Sequence, residues 1–192
     1  MKYAKIWQIC KKRSVLTVFS HNGTQWISTG AAAYPMYGMP FVRTKDELLA
    51  MIDVPADERD SFEVFFENPT DDMYGDITAE DTQLDASPVS FVYGSSTLTP
   101  LAAAEDPAVY WINEMFLAPL TDLKAIGYVL RRAKSGTPCV AVVDGMSIQA
   151  VIATSVAHER LADAILAVAA KLGTERGSSD PQEVPKQEQI QV

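Results

Sequence analysis

Hydrophobic runs separated by short polar stretches make up the first 30 residues of the chain. Tyr3 to Cys10 and Val15 to Ser20 are rich in residues that favour strands, and Lys11-Lys12-Arg13-Ser14 lies between them. The pair Asn22-Gly23 then precedes Gln25-Trp26-Ile27-Ser28. Asn-Gly between two such runs predicts a β-hairpin, because both residues tolerate a positive φ. The pattern therefore predicts an antiparallel meander at the start of the chain.

The next segment predicts a loop followed by a short helix. Thr29 to Pro40 contains two prolines and two glycines, which exclude a regular helix or a central strand. Thr44 and Glu47 then form a capping-box pattern, in which each side chain can accept a hydrogen bond from an N–H group at the start of a helix. This pattern predicts a helix from Lys45 to Ile52 that Val54-Pro55 ends.

Residues 53 to 87 have the least regular pattern in the chain. Phe62 to Phe66 is strand-like, whereas Asp71 to Ser87 is acidic and predicts an irregular loop. Pro88 to Tyr93 predicts another strand. We therefore treat residues 53 to 87 as an acidic, irregular insert.

Residues 107 to 117 fit two structures. Asp106-Pro107 is a good N-cap and first-turn pair for a helix. Val109 to Ile112, in contrast, has the composition of a strand. The periodicity does not decide between them.

The segment after Thr121 predicts a helix and then a second hairpin. Four apolar residues fall on one helical face, and Gly136 and Pro138 end the pattern; these four are Leu123, Ile126, Leu130 and Ala133. Cys139 to Val143 and Met146 to Ala153 flank the pair Asp144-Gly145, which is a two-residue hairpin signal.

A final helix is predicted to begin at Thr154 or Ser155 and to end at Gly173. Its apolar stripe is Leu161, Ile165, Val168 and Leu172. Residues 174 to 192 are rich in Glu, Gln, Ser and Pro, so we expect a disordered polar and acidic tail.

These elements together predict the α+β class: an antiparallel β-sheet built from hairpins, with helices packed against it. We expect a single globular domain over residues 1–173 that contains the insert at about 53–87. The hydrophobic fraction of 47% is that of a globular protein.

The net charge of −9 is unevenly distributed along the chain. Residues 1–45 carry +7 with no acidic residue, residues 46–85 carry −13 with Arg59 as their one base, and the rest carries −3. A net charge of this sign argues against a simple nucleic-acid binder. The partition between segments points instead to charged partners.

The acidic segment has two interpretations. Carboxylates spaced along a surface can imitate the phosphates of a nucleic acid and occupy the basic groove of a protein that binds it. The alternative is a solvated loop, or one that pairs with the basic N-terminal segment. The candidate partner-binding carboxylates are Asp57, Glu58, Asp60, Asp71, Asp72, Asp76, Glu80 and Asp81. The spacing around Asp71 does not match a Ca²⁺-binding loop, and we expect no metal site.

Two further segments are candidates for partner contact. Lys11, Lys12 and Arg13 at a predicted turn could contact phosphate, with Trp7 and Trp26 as stacking platforms, or they could be a hydrated turn beside core aromatics. The loop around Pro35 offers adaptable apolar contact area, or it folds onto the sheet as part of the core. Its candidate residues are Tyr34, Met36, Tyr37, Met39 and Phe41.

The motifs of common catalytic sites are absent from the sequence. There is no Gly-x-Gly-x-x-Gly, no Walker-type loop and no His-Glu-x-x-His. His21 and His158 are interpreted as structural residues, and Cys10 and Cys139 as buried free thiols in strand-like stretches. We expect no cofactor, no signal peptide, no membrane segment and a cytoplasmic location.

The leading hypothesis is a non-enzymatic binding or inhibitor protein that engages a basic, nucleic-acid-handling protein through its acidic segment. Inhibitors carried by phages and mobile elements, such as anti-CRISPR proteins, are an analogous class. The basic N-terminal segment would add a weak nucleic-acid contact. The alternative is a small-molecule-binding or catalytic α+β domain with a pocket between sheet and helices.

Overall fold

A computed structural model of the chain describes residues 1–69, 73–79, 81–104, 106 and 108–154. The chain divides into two compact units, Met1–Val156 and Ala157–Val192, and every described residue lies in the first. The predicted final helix and the predicted disordered tail lie outside the described residues. The single domain over residues 1–173 stays a prediction.

The described residues form two α-helices and eleven strands, joined in part by short 3₁₀ helices at Ala56–Ser61, Glu114–Phe116 and Ala118–Leu120. The α-helices are α1 (Tyr3–Lys11) and α2 (Lys45–Met51). The strands are β1 (Val15–His21), β2 (Thr24–Ser28), β3 (Ala32–Pro35), β4 (Glu63–Phe66), β5 (Gln83–Ala86), β6 (Phe91–Tyr93), β7 (Ser96–Ala102), β8 (Val109–Asn113), β9 (Ile126–Arg132), β10 (Pro138–Asp144) and β11 (Ser147–Ala153).

The strands join into one sheet in the order β4-β1-β2-β3-β11-β10-β9-β5-β7-β6, with β8 paired to β7. Neighbouring strands are antiparallel except β1 and β4, which are parallel. The protein is therefore a large mixed sheet with few short helices, which confirms the α+β class in this coarse form.

Local turn and cap signals correctly predict three elements. The β1–β2 turn has positive φ at Asn22 (47°) and Gly23 (75°), as an Asn-Gly hairpin requires. Thr44 caps α2 by accepting a hydrogen bond from the Glu47 N–H. The β10–β11 hairpin is also confirmed, but Asp144 pairs with Ser147, so its turn residues are Gly145-Met146.

The predicted strand at Tyr3 to Cys10 is wrong, because this segment is helix α1. Ile6, Ile9 and Cys10 are buried, and their i, i+3, i+4 spacing places them on one helical face. The strand prediction rested on the residues of this segment that favour strands, such as Tyr3, Ile6 and Trp7. Burial of the helical stripe in the core outweighs this local preference.

The prediction that Thr29 to Pro40 contains no central strand is also wrong. Strand β3 lies between β2 and β11. Its pairing with β11 involves only Ala32 and Ala33, so Pro35 at its end need not donate a hydrogen bond to that neighbour. A proline at the last position of the strand is therefore compatible with a central place in the sheet.

The predicted helix after Thr121 is replaced by strand β9, which lies between β10 and β5. Val129 packs into one side of the sheet, whereas Tyr128 and Leu130 pack toward the other. Apolar residues on both faces obscure the period-two alternation of a strand. The ambiguous segment 107–117 contains strand β8, which its β-branched and aromatic composition favours.

The sheet has a separate hydrophobic cluster on each face. On β10, Val140 and Val142 join the larger cluster, which includes α1 and α2, whereas Cys139, Ala141 and Val143 join the smaller one. A β-bulge in β11 shifts the register between Val142 and Val143. Val142 pairs with Ala150 and Val143 with Ile148, so Gln149 is the extra residue. The bulge places Ile148 and Ala150 on opposite faces.

Both cysteines are buried, and neither forms a disulfide. Cys139 lies in β10, as its strand-like context predicts, whereas Cys10 lies in α1. Burial raises the pKa of the Cys10 thiol to about 12. The reactive thiolate of Cys10 is therefore rare at neutral pH.

Replacing Gly127 with alanine distinguishes strand β9 from the predicted helix. A Cβ at this position would lie 2.9 Å from Val143 Cγ2, and the stiff, buried valine cannot easily move. We expect Gly127→Ala to lower the free energy of unfolding by about 1–3 kcal/mol in urea titrations. A helix would instead gain about 1 kcal/mol from the same change. Adding Val143→Ala should remove the clash, so the double variant should lose less stability than the two single losses together.

The Cys10 thiol should react with a thiol reagent only after the protein unfolds. In a Cys139→Ala background at pH 8, we expect native Cys10 to be modified at least roughly 100-fold more slowly than in urea, because it is buried and its pKa is raised. The colour released by a thiol-specific disulfide reagent measures this rate. Fast modification in the absence of urea would contradict the burial of Cys10 on the core-facing side of α1.

Candidate functional site

Three of the predicted acidic residues lie together on the 3₁₀ helix Ala56–Ser61. Asp57, Glu58 and Asp60 are exposed there. The buried residues Val54 and Phe62 anchor the two ends of this turn in the core. With both ends held inward, the short helix presents its acidic side chains to solvent.

Strand β4 continues from this turn and forms one end of the sheet. Among the described residues it pairs only with β1, so its other edge has no strand beside it. Phe65 and Phe66 are 43% and 42% exposed on this strand. Glu63 and Glu67 are exposed at its two ends. We call Asp57, Glu58, Asp60, Glu63 and Glu67, together with strand β4, the acidic edge.

The other predicted acidic residues belong to a separate stretch of the insert. Asp76 is exposed, whereas Asp81 is paired with Arg131 at 3.0 Å, with both side chains largely buried. Asp81 also accepts a hydrogen bond from the Thr78 N–H at 2.7 Å. Its carboxylate is therefore occupied within the fold and is not available to a partner. Asp71, Asp72 and Glu80 lie outside the described residues.

Residues 73–79 of the insert lie against the smaller hydrophobic cluster. Met73, Tyr74 and Ile77 pack on it. Arg131 Nη2 donates a hydrogen bond to the Asp76 carbonyl at 2.9 Å in addition to its pairing with Asp81. This part of the acidic insert therefore covers one face of the sheet.

The basic residues Lys11, Lys12 and Arg13 connect α1 to β1, and the prediction that they form a turn between two strands is wrong. All are exposed. Lys11 Nζ lies 3.5 Å from Asp53 Oδ2, and the Ser14 carbonyl accepts a hydrogen bond from the Glu63 N–H. The basic cluster is thus adjacent to the acidic segment, where its charge is partly offset.

The predicted apolar loop is divided between core and surface. Tyr34 and Met36 are buried, and Met39 is half-buried against the core. The Tyr34 hydroxyl donates to the Phe116 carbonyl at 2.9 Å, and its pKa is raised by burial and, to a smaller extent, by Cys10. Only Tyr37 and Phe41 remain substantially exposed. Contact area for a partner is therefore limited to these two rings.

Sequence reasoning missed a pocket of about 200 Å³ between the tips of the β1–β2 and β10–β11 hairpins. Its aromatic lining comes from Trp26 on β2, from Tyr37 after β3 and from Tyr74 in the insert. Asp76, His21 and Met146 also line it. We call this space the tip pocket. Its residues come from segments far apart in sequence, so no local motif marks it.

Two nitrogen atoms of pocket-lining residues are buried without a hydrogen-bond partner. They are His21 Nε2 and Trp26 Nε1. A buried polar group without a partner typically costs about 1–3 kcal/mol. Such an atom has either lost its hydrogen bond to the packing of the fold or forms one with a bound molecule.

A polar cluster on β7 and its neighbours has a structural role. The hydroxyls of Ser90 and Thr99 both donate to Glu114 Oε1, at 2.9 Å for Thr99. The Glu114 carboxylate thereby connects the end of β8 to β7 and to the segment before β6.

Within the described residues, no three His, Cys, Asp or Glu side chains are arranged to hold a metal ion.

No protein-family model, no curated protein and no solved structure matches this chain. Among the helices that the structure describes, none has the length and apolarity needed to cross a membrane. His158 lies outside the described residues, so its predicted structural role stays a prediction.

Arg131 should be essential for holding the insert on the sheet. Replacing it with methionine leaves Asp81 buried without its ion-pair partner, and we expect Arg131→Met to lower the free energy of unfolding by about 3 kcal/mol. Hydrogen exchange of the backbone amides in residues 73–79 should accelerate at the same time.

The neighbouring Arg132→Met is the matched control. Arg132 is exposed on the same strand, and its Nη2 lies 3.4 Å from the Tyr110 hydroxyl. We expect its replacement to change the free energy of unfolding by less than about 1 kcal/mol. Equal effects of the two substitutions would contradict an anchoring role for Arg131.

Proposed function

We propose that this chain is a non-enzymatic binding protein that engages a basic, nucleic-acid-handling protein through its acidic edge. The observation that carries the proposal is the coincidence, at one end of the sheet, of five exposed carboxylates, a free strand edge and two exposed phenylalanines. Each of these features favours a different kind of contact. Their combination favours an extended, basic segment of a partner.

The free edge of β4 supplies main-chain hydrogen-bonding groups. An extended peptide can pair with such an edge as an added strand, and pockets beside the edge then select its side chains. Exposed edge strands are normally protected in proteins that do not use them, because they also pair with unintended chains. Glu63 and Glu67 are negatively charged, so they repel acidic segments and restrict pairing with this edge to basic partners.

The carboxylates supply attraction and selectivity. Asp57, Glu58 and Asp60 lie on one short turn, where Arg59 is the single base and its Nε donates to the Val54 carbonyl. A dense negative patch accelerates association with a basic protein and makes the affinity depend on salt. A groove that binds nucleic acid carries the positive charge that this patch would attract.

A protein with this mode of binding would act as an inhibitor by competing with nucleic acid for the partner's basic groove. Inhibitors carried by phages and mobile elements, including anti-CRISPR proteins, are the analogous class, and a cytoplasmic site of action would follow from that role. Direct contact with nucleic acid through Lys12 and Arg13 is a weaker part of the proposal, because Lys11 beside them already lies near Asp53.

Neutralising two carboxylates of the acidic edge should abolish capture of the partner. We would couple the full chain to a resin, expose it to lysate of the native host and identify the proteins that elute. Asp57→Asn/Asp60→Asn should reduce recovery of the main captured protein at least roughly tenfold, and raising salt from 50 to 200 mM should do the same for the unaltered chain.

The matched control is Asp85→Asn/Asp144→Asn, which makes the same change of charge away from the acidic edge. It should retain the captured protein. Recovery that survives both Asp57→Asn/Asp60→Asn and high salt would overturn the proposal, as would a captured protein without a basic nucleic-acid-binding surface.

Replacing both exposed phenylalanines tests the contribution of the strand edge. Phe65→Ser/Phe66→Ser removes apolar contact area from the acidic edge while leaving its charge unchanged. We expect the affinity for the captured protein to fall at least roughly tenfold, as for a pair of interface anchors. Titration calorimetry measures the affinity, and urea unfolding verifies that the variant stays folded. Unchanged affinity would show that β4 takes no part in binding.

A further inference from the structure

The tip pocket shares no lining residue with the acidic edge and has its own chemistry. Trp26 and Tyr74 meet with ring centroids 5.2 Å apart and planes inclined by 56°, so they form a corner. Phe19 stacks behind Trp26, with its centroid 6.0 Å away and an interplanar angle of 9°. This backing ring keeps the indole in place.

Tyr37 contributes the third aromatic side chain. Its hydroxyl donates to the Ile148 carbonyl at 3.0 Å, and its own carbonyl accepts a hydrogen bond from the Tyr3 hydroxyl at 2.7 Å. Both ends of the residue are therefore held by neighbours. A site built from held rings loses little conformational freedom when a ligand binds.

The charged side chain in the described pocket lining is acidic. Asp76 contributes an exposed carboxylate, and the lining that the described residues form contains no lysine or arginine. Arg131 donates a hydrogen bond to the Asp76 backbone carbonyl, which fixes the main chain of this lining residue. An anionic ligand would be repelled here, whereas a cation would be attracted.

We propose that the tip pocket binds an organic cation, a substituted ammonium group that contacts the rings of Tyr37 and Tyr74 and the carboxylate of Asp76, with the largely buried indole of Trp26 forming part of the pocket wall. The faces of aromatic rings attract cations, and such interactions strengthen where water is excluded. The pocket volume of about 200 Å³ is below that of a drug-sized site, and it suits one head group rather than a large ligand.

The unpartnered indole N–H of Trp26 is a second, independent observation at this site. Trp26 is 3% exposed, and its Nε1 makes no hydrogen bond. A ligand that carries a hydroxyl or carbonyl oxygen beside its ammonium group could accept from this donor. Choline meets this requirement, because its hydroxyl group is on the carbon next to the one that carries the ammonium nitrogen.

Titration of the full chain with choline chloride tests the proposal. We would follow the indole N–H resonance of Trp26, assigned with Trp26→Phe, by NMR. Choline should shift this resonance in a saturable manner, with a dissociation constant of roughly 1 mM or below. The neutral isostere 3,3-dimethylbutan-1-ol has the same shape without the charge, and it should bind at least roughly tenfold more weakly.

Asp76→Asn and Tyr37→Leu should each weaken choline binding about fivefold or more. Asp85→Asn is the matched control, because Asp85 is an exposed acid that does not line the pocket, and it should leave binding unchanged. Urea unfolding of each variant separates loss of binding from loss of folding.

A peptide that contains trimethyllysine distinguishes the source of the cation. Tighter binding of the peptide than of choline indicates a protein side chain, and the reverse indicates a small molecule. Equal binding of the neutral isostere would overturn the proposal, as would the absence of a saturable shift at roughly 10 mM choline. Neither result affects the acidic edge, because the two sites share no residue.

Discussion

The central strands of the sheet bury side chains on both faces, and the rest of the structure depends on how those faces are covered. Cys139 to Val143 are all buried, with alternate residues in different hydrophobic clusters. The helices α1 and α2 contribute to the larger cluster. Residues 73–77 of the acidic insert cover the smaller one through Met73, Tyr74 and Ile77. A segment whose composition suggests a solvated loop is thus required for the core, because an uncovered apolar face would be unstable in water.

The sequence-based predictions succeed where a few neighbouring residues determine the structure. Asn22-Gly23 and Thr44 specify their turn and cap without help from distant residues. Helix α1 and strands β3 and β9 were mispredicted because distant packing selects among conformations that the local pattern permits. The same limit applies to function: the charges of the acidic edge are visible in the sequence, whereas the tip pocket exists only where separate segments meet.

The opposed charges of the chain are partly paired within the fold. Lys11 lies beside Asp53, and Arg131 holds Asp81. These two contacts differ in energy, because the first is exposed and screened by solvent whereas the second is largely buried. Each pair joins one positive and one negative charge, so the net charge of −9 is unchanged by this internal pairing. Five exposed carboxylates remain at the acidic edge.

The bulge in β11 has a consequence for which changes this hairpin could tolerate. Gln149 is one extra residue in β11, so the side chains that precede it point to the opposite face from the one that regular alternation would give. Ile148 therefore lies on the face of the sheet that carries the tip pocket. Its carbonyl then meets the Tyr37 hydroxyl. Loss of a single codon at this position would restore uninterrupted pairing and turn Ile148 toward the opposite face. The number of residues in this hairpin, as well as their identity, therefore determines which face carries Ile148.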